Sequence, residues 1–186
     1  TESKGSCSDS DDIVVTFTQQ PVADAGTGGS VCGSMTFGLS ATASVGTGTW
    51  TQESGPGSSS FADASSPSTD VTVSAFGSYV YRWTEVNGGC SDFDEVTVNF
   101  SDAIVADAGD ATAEECDLSI ALTGTQTVSG STASWTVTAG TATDITFSDA
   151  SSFTTTATSS TYGTYTFTLT ESKGSCSDSD DIVVTF

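Results

Sequence analysis

Histidine is absent from the 186 residues, and only Lys4, Arg82 and Lys173 carry positive charge. The first absence removes the Ser-His and Cys-His pairs on which most nucleophilic catalysis depends. The second removes nucleic-acid binding, because displacing phosphate counterions takes a set of cations that this chain does not have. Attraction to anionic membrane surfaces is excluded on the same ground. No apolar run reaches the length of a membrane span, so no membrane insertion is expected in this segment. Thr1 opens no signal-peptide pattern and there is no initiator Met, so the chain reads as a processed product or a piece of a larger protein. Helical periodicity is missing throughout, which excludes the crossover helices of a parallel α/β fold.

What is present is acid: 24 Asp and Glu residues give a net charge of −21. Such acidity among Ser, Thr and Gly would suit a disordered chain, but 35% hydrophobic residues with ten Phe, four Tyr and three Trp at regular spacing indicate buried cores instead. The charge then keeps a folded chain soluble and self-repelling.

The chain is organised around a stretch that occurs twice. TESKGSCSDSDDIVVTF fills residues 1–17 and, without one difference, residues 170–186, an offset of 169. A match of this length marks one period of a longer tandem array plus an overlap into the next. Inside the period lies a second, degenerate repeat. Val22-Ala-Asp-Ala-Gly26 returns as Val105-Ala-Asp-Ala-Gly109, Cys32 as Cys116, Trp50 as Trp135, and Gly77-Ser-Tyr79 as Gly163-Thr-Tyr165. Cys90 returns as Cys176, and Val96, Val98 and Phe100 as Ile182, Val184 and Phe186. These matches divide the chain into residues 1–17, the last strand or hairpin of a preceding, truncated repeat, and two units at 18–100 and 101–186.

Each unit holds about seven short β-type runs separated by Gly, Ser, Asp and Pro. In the first they fall near 22–25, 35–42, 47–53, 59–62, 69–75, 78–86 and 93–100. Tyr79, Tyr81 and Trp83 alternate with polar residues, as do Val96, Val98 and Phe100. One apolar face per strand predicts an all-β chain of two tandem antiparallel sandwiches. Pro21-Val-Ala-Asp-Ala-Gly26, Gly48-Thr-Trp-Thr-Gln-Glu-Ser-Gly-Pro56, Gly77-Ser-Tyr-Val-Tyr-Arg-Trp83, Asn87-Gly and Asp94-Glu-Val-Thr-Val98 resemble the polycystic-kidney-disease-type (PKD-like) immunoglobulin-like domain. The chain is most similar to the Cys-containing variant of that domain in giant bacterial cell-surface and gliding-motility adhesins. The resemblance implies an extracellular, bacterial cell-surface location and a structural unit of a filament or adhesin stalk that gives reach and stiffness. Its implied partners are adjacent copies of the same repeat, with other filament chains or surface glycans beyond them. A carbohydrate- or cell-surface-binding module is the alternative.

Five cysteines, one pair per unit plus Cys7, read as a disulfide framework in an oxidising compartment. Zinc is the weaker reading without His or a closely spaced Cys pair. Pairing within units would join Cys32 to Cys90 and Cys116 to Cys176. In an up-and-down sandwich, however, Cys32 and Cys116 fall at the far end, while Cys90 and Cys176 lie in a turn back at the entry. Those ends are on the order of 25 Å apart, and a disulfide tolerates Cα separations of only about 7 Å. The expected bridge is therefore Cys32 to Cys176 across the unit boundary, with Cys7, Cys90 and Cys116 finding partners in adjacent repeats.

The remaining candidates carry less. Asp94-Glu95 and Asp180-Asp181 could supply paired carboxylates, but strand neighbours point to opposite faces and the pairs read as solvated charge, so no catalytic residue is assigned and no enzyme is expected. Asp24 and Asp107, at the entry of each unit, could contribute to a calcium site needing about six to eight oxygens. Capping of local turns is the competing reading, and no cofactor is otherwise expected. Trp50 and Trp135 could form a sugar platform, but their mid-strand positions favour the core.

Overall fold

The computed structural model describes the backbone of residues 2–186 and the side chains of residues 5–6 and 10–186, so the side chains of Lys4 and Cys7 lie outside the described part. The chain is all-β, with two sandwiches and a single turn of 3-10 helix at Ala142–Asp144. Strands β1 (Glu2–Lys4) and β2 (Cys7–Asp9) form an isolated hairpin. Asp11–Phe17, whose alternation of Ile13, Val15 and Phe17 suits a half-buried strand, belong to no strand.

The first sandwich contains β3 (Gly29–Cys32), β4 (Thr36–Ser40), β5 (Thr47–Ser54), β6 (Ser59–Phe61), β7 (Ser68–Val73), β8 (Gly77–Asn87) and β9 (Cys90–Ser101). Its sheets are ordered β3-β9-β8-β5 and β4-β7-β6. In the second, β10 (Thr112–Glu114), β11 (Ser119–Thr123), β12 (Thr132–Ala139), β13 (Ile145–Phe147), β14 (Thr154–Ser159), β15 (Thr164–Lys173) and β16 (Cys176–Thr185) repeat the plan as β10-β16-β15-β12 and β11-β14-β13.

Two expectations need correction. Within each two-sheet sandwich the chain passes repeatedly from one sheet to the other. As a result the first strand of each sandwich lies parallel to the last, β3 on β9 and β10 on β16, and the sheets are not purely antiparallel. The first strand also begins later than residues 22–25 would place it. Only Asp24 forms a bridge there, to Thr42. Gly26, at φ 75°, then turns the chain in a space where a Cβ would stand 2.1 Å from the Ser40 carbonyl oxygen.

The cores follow from alternation. Tyr79, Tyr81, Trp83, Val96, Val98 and Phe100 face Leu39, Val71 and Val73 across the first sandwich, around Trp50. Tyr165, Phe167, Leu169, Ile182, Val184 and Phe186 do the same around Trp135 in the second. The tryptophans satisfy their indole N–H groups at backbone carbonyls, Trp50 Nε1 donating to Pro67 (3.1 Å) and Trp135 Nε1 to Ser152 (3.1 Å). One exchange between the cores is compensated locally. Trp83 lies against Gly48, where a Cβ would come within 1.8 Å of the ring, and where Leu169 replaces Trp83, Ala133 replaces Gly48.

Candidate functional site

The sandwiches meet where β3 and β9 end. Cys32 closes β3 opposite Ser101, the last residue of β9, and the chain then crosses to the second unit. Cys176 opens β16 at the tip of the β15–β16 hairpin, facing back toward the first sandwich. A disulfide joins the two, with Cα atoms 5.7 Å apart across 144 residues of sequence. Beneath it, Ile104 of the connecting segment, Val128 and Cys176 form a small buried cluster separate from either core. Lys173 Nζ donates to the Ser129 carbonyl (2.8 Å) from the same hairpin, and a shallow cleft beside the bridge is lined by Gly33, Phe76, Ala103 and Val128.

The loop that carries Val128 is fixed by a buried carboxylate. Glu171 sits in β15 at an inward-facing position, two residues beyond Leu169, and is wholly buried. It accepts from Thr127 N (3.0 Å), Thr127 Oγ1 (2.7 Å), Val128 N (3.0 Å) and Ser131 Oγ. Glu85 holds the equivalent position in β8 and accepts from Ser44 N (2.8 Å), Ser44 Oγ and Trp83 Nε1 (3.2 Å). Where Leu169 cannot donate as the Trp83 indole N–H does, the Ser131 hydroxyl supplies the missing donor. Burial pushes each carboxyl up, but the donated hydrogen bonds outweigh it and hold both below the ordinary glutamate range. A charge taken out of water in this way is tolerable only because its oxygens are fully engaged. The signal was visible in the alternation: Tyr79, Tyr81, Trp83, Glu85 places an acid on the core side of its strand.

The acidic run of the repeated stretch has a related use. Asp178 Oδ2 accepts from Ala106 N (3.0 Å) and Asp180 Oδ2 from Ala108 N (2.9 Å). In the first sandwich Asp92 and Asp94 hold Ala23 N (3.0 Å) and Ala25 N (2.9 Å) in the same way. The entry segment thus attaches to the edge of β9 or β16 through alternate carboxylates instead of a backbone ladder, which is why residues 22–25 do not count as a strand. The neighbouring acids face elsewhere: Glu95 and Glu53 flank Arg82 (2.6 and 3.0 Å), whose guanidinium lies over Phe93, and Asp181 accepts from Thr168 Oγ1. Neither acidic pair converges on a common point.

Asp24 and Asp107, the calcium candidates, each accept the amide two residues on, Gly26 N (2.8 Å) and Gly109 N (3.0 Å). Among the described residues no three His, Cys, Asp or Glu side chains gather as a metal site. Trp50 and Trp135 are buried. Cys90 and Cys116 are free and lie at opposite extremes, Cys90 at the entry of the first sandwich, 3.9 Å from the Thr18 carbonyl, and Cys116 at the far end of the second.

No family model matches the sequence, and comparison with curated proteins finds no match. Among solved structures, extracellular domains 3–5 of Drosophila OTK are similar over 91% of this chain and 61% of that one, at 10% identity and a TM-score of 0.59. The fold is immunoglobulin-like. The strand order agrees, since β4-β7-β6 and β5-β8-β9 reproduce the two facing sheets of that sandwich. The solution structure of the PKD domain from the KIAA 1837 protein matches at 20% identity over 48% of this chain and 94% of that one, with a TM-score of 0.40. Fibronectin(III)-like modules of Clostridium thermocellum CbhA match at 15% identity over 88% of this chain and 93% of theirs, with a TM-score of 0.44. No helix among the described residues is long and apolar enough to cross a membrane.

The geometry is suited to holding. A covalent bridge, a packed apolar cluster and a loop pinned by Glu171 converge on one joint.

Proposed function

We propose that the chain is a repeating structural unit of a long extracellular filament or adhesin stalk, displayed on a bacterial surface, that supplies reach and stiffness for adhesion or gliding. The observation that carries this reading is the Cys32–Cys176 bridge, which ties consecutive sandwiches together instead of the two sheets of one sandwich. A bridge placed there does little for either core and much for the angle between them. The exact recurrence of residues 1–17 at 170–186 supports a tandem array, in which contacts between nearest neighbours suffice for stability. A disulfide also suits an oxidising, extracellular setting. No resident metal enters this reading, and the melting transition is expected to be the same with and without EDTA.

The alternative of a carbohydrate-binding module loses its best platform, because the tryptophans shared by both units are inside the cores. The test is small-angle X-ray scattering of the intact chain and of the Cys32→Ser variant. The native chain should give one narrow distribution of interdomain distances, and the variant a broad one with both sandwiches still folded. Identical distributions would remove stiffness from the account, and saturable binding on a glycan array would replace the spacer with a binding module.

A further inference from the structure

The joint between the sandwiches is built from two half-surfaces, and each recurs, without a facing sandwich, at an outer pole of the molecule. On the distal side of the first sandwich the joint uses Cys32 and Phe76, the residue before Gly77. The corresponding residues at the distal pole of the second sandwich are Cys116, a free exposed thiol, and Tyr162, the residue before Gly163, which is 70% exposed. On the entry side of the second sandwich the joint uses Ile104, Val128 and Cys176. Their counterparts at the entry of the first are Pro21, which is buried like Ile104, and Val45 and Cys90, which are only half-buried where Val128 and Cys176 are covered. The loop bearing Val45 is pinned by Glu85 as the loop bearing Val128 is pinned by Glu171. A free thiol therefore sits at each pole, in a frame whose internal copy is closed by a disulfide and an apolar contact.

We infer that Cys116 of one copy forms a disulfide with Cys90 of the following copy, with Tyr162 packed beside it on the surface around Val45. The partner is thus a second copy of this chain, joined head to tail. The inference rests on the array reading and goes beyond it by fixing which cysteines close the joint between periods. It also predicts that every joint in the array, and not each alternate one, is covalently bridged. In the bond-forming step the two thiols lose two protons and two electrons to a disulfide oxidant such as oxidised glutathione. The thiolate of one cysteine attacks it, and the thiolate of the other then displaces glutathione from the mixed disulfide, so that two molecules of reduced glutathione leave.

The full chain, extended after Phe186 by a second copy of residues 18–186, provides the test, since Phe186–Thr18 then reproduces the native Phe17–Thr18 sequence. After refolding in a glutathione redox buffer, non-reducing peptide mapping should recover a link between peptides containing Cys116 and Cys90. That link should vanish with Cys116→Ser in the first copy or Cys90→Ser in the second. The same substitutions in the opposite copies should leave it in place. Alkylation of the folded protein should label one thiol fewer than in either of the variants that break the link, because each substitution removes one cysteine and releases its partner. Recovery of Cys116 linked to Cys7, or of both thiols freely alkylated, would overturn the inference. Scattering separates this failure from failure of the array reading: an in-line string of four sandwiches with an open middle joint sinks only the pairing, whereas sandwiches with no fixed alignment sink the stalk itself.

Discussion

Residues 1–17 and 170–186 are the same peptide in two settings. In both, the tip folds alike: Glu2 pairs with Asp9 as Glu171 pairs with Asp178, and Lys4 with Cys7 as Lys173 with Cys176. Beyond the tip they part. Ile182, Val184 and Phe186 are buried against Tyr165 and Phe167, with 6%, 0% and 8% of their surface exposed, while Ile13, Val15 and Phe17 stand 87%, 60% and 93% exposed. The turn is therefore encoded locally, through Gly5 and Gly174 at positive φ, and the strand is not. Val-Val-Thr-Phe has high β propensity in both places, but only a neighbouring strand and a core convert that propensity into structure.

The comparison can be broken most sharply with one substitution made twice. Val184→Asp puts an unpaired charge into a closed core and should cost more than about 4 kcal/mol, enough to unfold the second sandwich. Val15→Asp should stay within about 0.5 kcal/mol in the same urea titration. Equal losses would mean that residues 10–17 are packed in solution.

A smaller effect is expected at Glu171. Glu171→Gln keeps the shape but leaves donors from Thr127, Val128 and Ser131 competing for one neutral oxygen, at about 2–4 kcal/mol. The pH dependence follows with a definite sign. Because the folded-state pKa values of Glu85 and Glu171 are lowered, their contribution is complete above the ordinary glutamate value of about 4.3 and is lost as pH falls through the folded values. Acid titration of the Glu171→Gln variant should show a shallower loss of stability below that pH than the native chain. Parallel curves would separate the buried acids from the acid response.

The smallest effect concerns the edge. Asp180→Ala removes the acceptor of Ala108 N and should cost roughly 1 kcal/mol, whereas Asp11→Ala, the same position in the first copy, should cost nothing measurable. Hydrogen exchange sharpens the point, with amides of 180–185 protected and those of 11–17 exchanging at nearly free-chain rates.

The two-sandwich, all-β architecture was legible in the sequence because alternation at Tyr79-Tyr81-Trp83 and Val96-Val98-Phe100 has one reading, a strand with one wet face. The first strand was not legible. Val22-Ala23-Asp24-Ala25 has the composition of a strand, and Gly29-Ser30-Val31-Cys32 has that of a loop, yet pairing with β9 reverses the assignment. The edge carboxylates were hidden for a similar reason. An Asp-x-Asp pattern in an acidic chain looks like solubility, and only the placement of Ala106 and Ala108 beside Asp178 and Asp180 reveals the contact. Glu85 and Glu171 were within reach, since extending the inward alternation by one step lands on them.

The Cys32–Cys176 bridge changes how the molecule bears a pull. Tension applied between Thr18 and Phe186 passes through residues 18–32, crosses from sulfur to sulfur, and leaves through residues 176–186. Residues 33–175 hang outside that route as a closed loop, so tearing either bead open lends the tether scarcely any slack.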